Sequence, residues 1–248
     1  MRLQGKVAIL TGLDRDVGAH LARRFVREGA RVVASGRTDA GRSVIDELRR
    51  DGAEAEWLSG DVSSRGDAEK LVALAVERFG RLDVLVSYNP GRRFVGTIAD
   101  ISDEEIDEEV DNDLRSLVTL SRAALPVMVE GGGGALVNIS SIAGAGVKGR
   151  ALRSAMKAAV NSLTVATALD YGAHNVKVNA LLLGPVLTPE LQSDSRGRER
   201  MEAGAPLRRL PTAQEVAESV VFLASDDSGP MTGVLLRLDS GRALGAPG

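Results

Sequence analysis

The side chains best able to do chemistry in this chain gather in a few short segments. Thr11-Gly12-Leu13-Asp14-Arg15-Asp16-Val17-Gly18 joins an apolar run to an amphipathic one. A glycine turn at such a junction presents backbone N–H groups and the positive end of a helix, which together attract an anion such as a pyrophosphate. Gly12 and Gly18 serve that turn, and Asp16 stands between them. A carboxylate there can cap the N–H groups an anion would take. At about 4 Å it would also oppose a phosphate charge by roughly 4 kcal/mol at an effective dielectric near 20. Downstream, Asn112-Asp113, Ser140-Ser141 and Arg153-Ser154-Ala155-Met156-Lys157 set polar and ionisable groups among apolar neighbours.

Composition removes several other chemistries. The chain of 248 residues has no cysteine, so it forms neither disulfides nor thiolate metal sites, and His20 and His174 are its only histidines. No metal site is expected. Cysteine-free composition suits a reducing cytoplasm. A formal net charge of −3 gives no nucleic-acid footprint. Met1–Gly5 contains no apolar core of signal-peptide length, and no segment has the apolar length of a membrane span.

The elements that must position these groups follow from hydropathy. Lys6–Thr11, Arg31–Ser35, Ala55–Leu58, Leu82–Val86, Ala135–Ile139, Val176–Leu183 and Val234–Leu238 read as buried strands. Between them, Val17–Glu28, Asp39–Arg50, Ala68–Arg78, Glu104–Val129, Leu152–Asp170 and Thr212–Ala224 read as helices. Gly131–Gly134 is a turn, polar Ser193–Arg200 a mobile loop or lid, and Arg242–Gly248 a loose tail. Alternating β and α with Val-, Leu- and Ile-rich strands predicts an α/β, doubly wound parallel sheet. This is a Rossmann fold of about seven strands with helices on both faces. No linker or repeat divides residues 1–248, so one domain is expected.

The turn at Thr11, Gly12 and Gly18 resembles the T-G-x3-G-x-G turn of the short-chain dehydrogenase/reductase family, with Asp16 at the middle glycine. The resemblance runs from Leu3 to about Arg242. It implies a nicotinamide dinucleotide held by Gly12, Arg15, Gly18, Arg37, Asp61, Val62, Lys157, Gly184 and Thr188. Arg15 and Arg37 stand where relatives grip the 2′-phosphate, so NADP(H) is the cofactor expected, with Asp16 opposing it. Asp61-Val62 would meet the adenine and Thr188 the nicotinamide amide.

The family's catalytic tetrad is Asn, Ser, Tyr and Lys. The resemblance places Ser141 at the serine and Lys157 at the lysine, but Arg153 at the tyrosine and Asp113 at the asparagine. Asn112 adjoins Asp113, and a slip of one residue would bring it to that position. A guanidinium does not release or accept protons usefully near neutrality, and loss of a positioned acid costs about 100- to 10,000-fold. Tyr88 and Tyr171 are the only tyrosines. Tyr88 is the nearer to the expected cleft and would have to swing toward the nicotinamide. Asp113 and Arg153 carry opposite charges, so the expectation is a compensating pair joined by Lys157, plugging the reaction centre. The alternative is an Arg153 that extends outward from a helix start.

Arg92, Arg93, Lys148, Arg150 and Arg153 border the expected substrate cleft; there they could draw an acyl-CoA-like anion, or serve as ordinary surface charges. Helices 104–129 and 152–170 are too apolar for one covered face, which argues for a homo- or hetero-oligomer, a dimer or tetramer as in the family. Three functions follow. The first is a non-catalytic, degenerate subunit paired with itself or an active homologue. The second is an atypical NADP(H)-dependent oxidoreductase without the tyrosine acid. The third is a non-redox enzyme reusing the cleft.

Overall fold

The computed structural model describes residues 1–14, 16–89 and 94–245, with the backbone alone for Asp16. Its seven strands are β1 (Val7–Thr11), β2 (Arg31–Gly36), β3 (Ala55–Ser59), β4 (Val84–Ser87), β5 (Gly134–Ser141), β6 (Val176–Leu183) and β7 (Leu235–Leu238). They form one sheet in the order β3-β2-β1-β4-β5-β6-β7, every pair parallel. The chain winds outward from β1 to β3, then restarts beside β1 with β4. A crevice therefore opens beyond the carboxyl ends of β1 and β4, where open α/β sheets bind ligands.

Both faces of the sheet are covered because its central strands alternate between two apolar cores. Ala8 and Leu10 of β1 point into one core, with Leu21 and Phe25 of α1 (Asp16–Arg27) and Val216 and Val220 of α9 (Ala213–Ala224). Val7 and Ile9 point into the other, with Leu71 of α3 (Arg65–Phe79) and Leu120 and Met128 of α5 (Ser116–Glu130). The remaining helices are α2 (Arg42–Arg50), α4 (Asp103–Glu109), α6 (Ala151–Tyr171), α7 (Pro189–Ser193) and α8 (Ser195–Ala203). No helix of the described residues is long and apolar enough to cross a membrane.

Three expectations change here. The stretch 104–129 is not one helix: α4 and α5 are joined by a π-helical turn, Val110–Arg115. In that turn the Ser116 N–H reaches back five residues to the Asp111 carbonyl, and the Ser116 hydroxyl donates to the Asn112 carbonyl. Ser193–Arg200 is largely helical, with Asp194 capping α8 through the Gly197 N–H. Its polar composition hid the helix because α8 buries little beyond Gly197. Within 39–50, Asp39–Gly41 forms a short 3-10 turn ahead of α2.

Candidate active site

The glycine turn between β1 and α1 is held shut by its neighbours. Thr11 Oγ1 accepts the Tyr88 N–H at 3.0 Å and faces the Tyr88 carbonyl at 3.2 Å. Gly12 has φ +75°, and a Cβ there would lie 1.9 Å from the Tyr88 carbonyl oxygen, so only glycine lets β1 and the segment after β4 approach this closely. A Cβ on Gly18 would come within 2.4 Å of the Gly12 carbonyl oxygen, which fixes how α1 leaves the strand. The expected anion contacts of Arg15 and the Asp16 carboxylate lie outside the described residues, as do Arg92 and Arg93.

A cleft of about 360 Å³ opens beside this turn. Its walls are Thr11, Gly12 and Asp14 after β1, Ser35–Thr38 after β2, Gly60–Val62 after β3, and Asn89, Glu108, Asn112 and Ser116. Arg37, Asp61 and Val62 are thus brought together as the sequence implied. Arg37 contacts Asp61 at 3.4 Å, with both side chains more than two-fifths exposed. Burial works to raise the Asp61 carboxyl, but the Ser63 N–H at 2.9 Å and the Arg37 guanidinium outweigh it and hold it below the ordinary aspartate value.

The other end is polar and closed. Lys157 of α6 places Nζ 2.9 Å from Asp113 Oδ1 in the π turn, with side chains only 7% and 1% exposed. Nζ also donates to the Ile139 carbonyl at 3.4 Å. Asp113 Oδ2, Asn112 Nδ2 and Asn138 Oδ1 are buried with no hydrogen-bond partner among the described residues. These three residues and Lys157 line a pocket of about 10 Å³, about what one water molecule needs.

Arg153 does not pair with Asp113. It is half-buried, one helical turn before Lys157, and has no ion pair among the described residues. Lys157 and Arg153 share a helix face at i and i+4, and the deeper lysine takes the carboxylate. Arg153 instead acts through space on Glu109, the last residue of α4. Glu109 is 3% exposed, and neither carboxylate oxygen has a hydrogen-bond partner among the described residues. Burial, then the nearby Asp113 charge, push its carboxyl above the ordinary glutamate value, against the pull of Arg153 and Lys157. Sequence reasoning missed Glu109 because it closes an acidic run, Asp103 to Glu109, that reads as a solvated face. The signal was its place four residues before Asp113.

The remaining candidates take no part in the Lys157–Asp113 pair. The Ser141 hydroxyl donates to the Leu183 carbonyl at 3.1 Å and accepts the Ala143 N–H at 3.1 Å. Gly184 continues the β6–β7 pairing through its N–H to Leu238, and Thr188 caps α7. Tyr88 lies half-buried against the α1-side core, and Tyr171 packs against the opposite core. Lys148 is exposed and Arg150 half-buried. No group of three or more metal-ligating side chains occurs among the described residues.

Comparison with known proteins bears on the family. The model described as enoyl-(acyl carrier protein) reductase matches residues 12–243. An oxidoreductase of Thermotoga maritima of unassigned substrate is 34% identical, covering 97% of this chain and 98% of its own length. The chain belongs to the short-chain dehydrogenase/reductase family. Trans-4-hydroxycyclohexanecarboxylate dehydrogenase of Sinomonas cyclohexanicum is 36% identical over 98% of this short-chain dehydrogenase/reductase and 95% of its own length. A solved structure described as a short-chain dehydrogenase/reductase of Burkholderia xenovorans superposes with a TM-score of 0.91 at 31% identity, covering 99% of each chain. The seven-stranded parallel sheet is thus the family's fold. Short-chain dehydrogenases/reductases commonly bind NAD(H) or NADP(H) and commonly form oligomers.

Proposed function

We propose that this chain is a redox-impaired family member that keeps a nucleotide cleft and serves as a non-catalytic subunit, paired with itself or with an active homologous dehydrogenase. One observation carries the reading: the buried Lys157 ammonium is held by Asp113 at 2.9 Å, while Arg153 stands four residues before it. In a working centre of this family a phenol at the latter position would pass a proton to or from the substrate oxygen, with the lysine lowering its pKa. Here a guanidinium that holds its proton replaces the phenol, and the lysine's charge is already spent on a carboxylate. Bound nicotinamide dinucleotide would supply hydride chemistry; this chain's residues would hold its adenosine end at Arg37, Asp61 and Val62.

Association is supported by α5 and α6, which leave Val118, Val165 and Leu169 exposed, the last at 81%. Apolar groups on two neighbouring long helices favour a covering partner. The second reading, an atypical oxidoreductase, is favoured by one observation: Glu109 is a buried carboxyl near Asp113 and Lys157, raised above the ordinary glutamate value mainly by burial, and perturbed carboxyls cluster at acid–base sites.

The test is carbonyl reduction by the purified chain with NADH and NADPH, beside the double variant Asp113→Asn with Arg153→Tyr. The wild-type chain is expected to be inactive, and the variant to gain about 100-fold or more, the usual effect of a positioned acid. Wild-type turnover at ordinary family rates, abolished by Lys157→Ala, would refute the non-catalytic reading. Loss on Glu109→Gln as well would establish the second one.

A further inference from the structure

Beside the cleft's adenosine end lies a carboxylate that sequence reading passed over. Asp14 Oδ2 accepts the Arg37 backbone N–H at 2.9 Å, and Asp14 Oδ1 accepts the Thr38 hydroxyl at 3.2 Å. These are the neutral donors that the loop after β2 would offer an incoming anion. The charged donor, the Arg37 guanidinium, faces Asp61 at 3.4 Å. On the β2 side of the cleft, the Arg37 N–H, the Thr38 hydroxyl and the Arg37 guanidinium are therefore each already engaged by a carboxylate of this chain. Gly36 fits this arrangement, since a Cβ there would lie 2.3 Å from Asp14 Oδ1. Among the described residues lining the cleft, one cation (Arg37) stands with three carboxylates, Asp14, Asp61 and Glu108.

We propose that Asp14 is a specificity-determining residue that makes this cleft select an adenine nucleotide with free ribose hydroxyls and reject one bearing a 2′-phosphate. The inference rests on the nucleotide-cleft reading above, and it reverses the NADP(H) preference expected from Arg37. An ionised carboxylate only accepts hydrogen bonds. A ribose 2′-hydroxyl donates one and meets Asp14 favourably. A phosphate near its dianionic form brings acceptor oxygens and like charge instead. It would have to displace Asp14 to reach the Arg37 backbone N–H and the Thr38 hydroxyl.

The experiment is calorimetric titration of the full chain and of Asp14→Asn with four probes: NAD+, NADP+, AMP and adenosine 2′,5′-bisphosphate. In the wild-type chain NAD+ and AMP should each bind at least about tenfold more tightly than their 2′-phosphorylated counterparts, a difference of about 1.4 kcal/mol. In Asp14→Asn, whose amide oxygen can still accept from Arg37 while its NH2 can donate to a phosphate, that ratio should fall at least about tenfold, with the 2′-phosphorylated probes gaining affinity. Wild-type binding of the 2′-phosphorylated probes as tight as the others, or a ratio unmoved by Asp14→Asn, overturns the role of Asp14 while the cleft reading stands. Absence of binding by any probe at millimolar concentration, with circular dichroism showing folded protein, overturns the cleft reading and this inference together. Should Asp14→Asn not fold, the wild-type ratios decide, with Asp14→Ser as the second variant.

Discussion

Asp113→Asn is the most informative single change, because it keeps shape and removes only charge. In the wild-type chain the carboxylate stands 2.9 Å from Lys157 Nζ, and both side chains are almost wholly buried. At an effective dielectric near 20, two unit charges so placed attract by about 6 kcal/mol. Desolvation of both groups offsets much of this, so the net value of the intact pair is small. Breaking it is another matter: the ammonium stays buried with only neutral acceptors, the new amide oxygen and the Ile139 carbonyl at 3.4 Å. Loss of one partner of a buried pair typically costs about 3–5 kcal/mol. Asp113→Asn should therefore lower unfolding free energy by about 3 kcal/mol or more in urea titrations at neutral pH. Lys157→Met should be costly for the mirror reason, leaving a buried carboxylate. The double variant should recover most of the loss, giving a coupling energy of about 2 kcal/mol or more in the cycle. Additive single effects, or a loss below about 1 kcal/mol for Asp113→Asn, would refute the plugged centre.

Two further outcomes follow from the same geometry. Glu109 has a raised folded-state pKa, so its burial favours the folded state at low pH, and that contribution is lost as pH rises through the raised value; Glu109→Gln should raise Tm at pH 8 and change it little at pH 4. Gly12→Ala should destabilise the chain by more than about 2 kcal/mol in denaturant titration, since the new Cβ meets the Tyr88 carbonyl at a left-handed φ; a fully stable Gly12→Ala would show that this turn is looser than described.

The sheet was legible in the sequence because each strand is a short apolar run flanked by turn residues, and β1 sends alternate residues into two cores. The glycine turn was legible because strand, glycine and helix follow in one unbroken segment. What was not legible depends on depth and neighbourhood. Arg153 and Lys157 present the same charge on the same helix face, and only packing reveals that Lys157 lies deeper and takes Asp113. Asp14 looked like one polar turn residue among several; its role appears only when β2 brings Arg37 and Thr38 beside it. The helix α8 reads as a loop in the sequence because a charged helix that buries only a glycine fully has no apolar stripe to announce it.

The wide turn at Val110–Arg115 means that a helical rod here carries one residue in surplus. Deleting a single residue within it would let the rod regularise instead of breaking, with α4 and α5 keeping nearly the same facing, because a wide turn with one more residue and a normal turn with one fewer sweep about the same angle. Glu109 would keep its facing, but the side chains of the turn itself, Asn112 and Asp113 among them, would be re-aimed, and the acid–base neighbourhood of Lys157 would be rewritten. Chain length at this spot is thus an inheritable dial on the chemistry of the cleft, separate from residue identity.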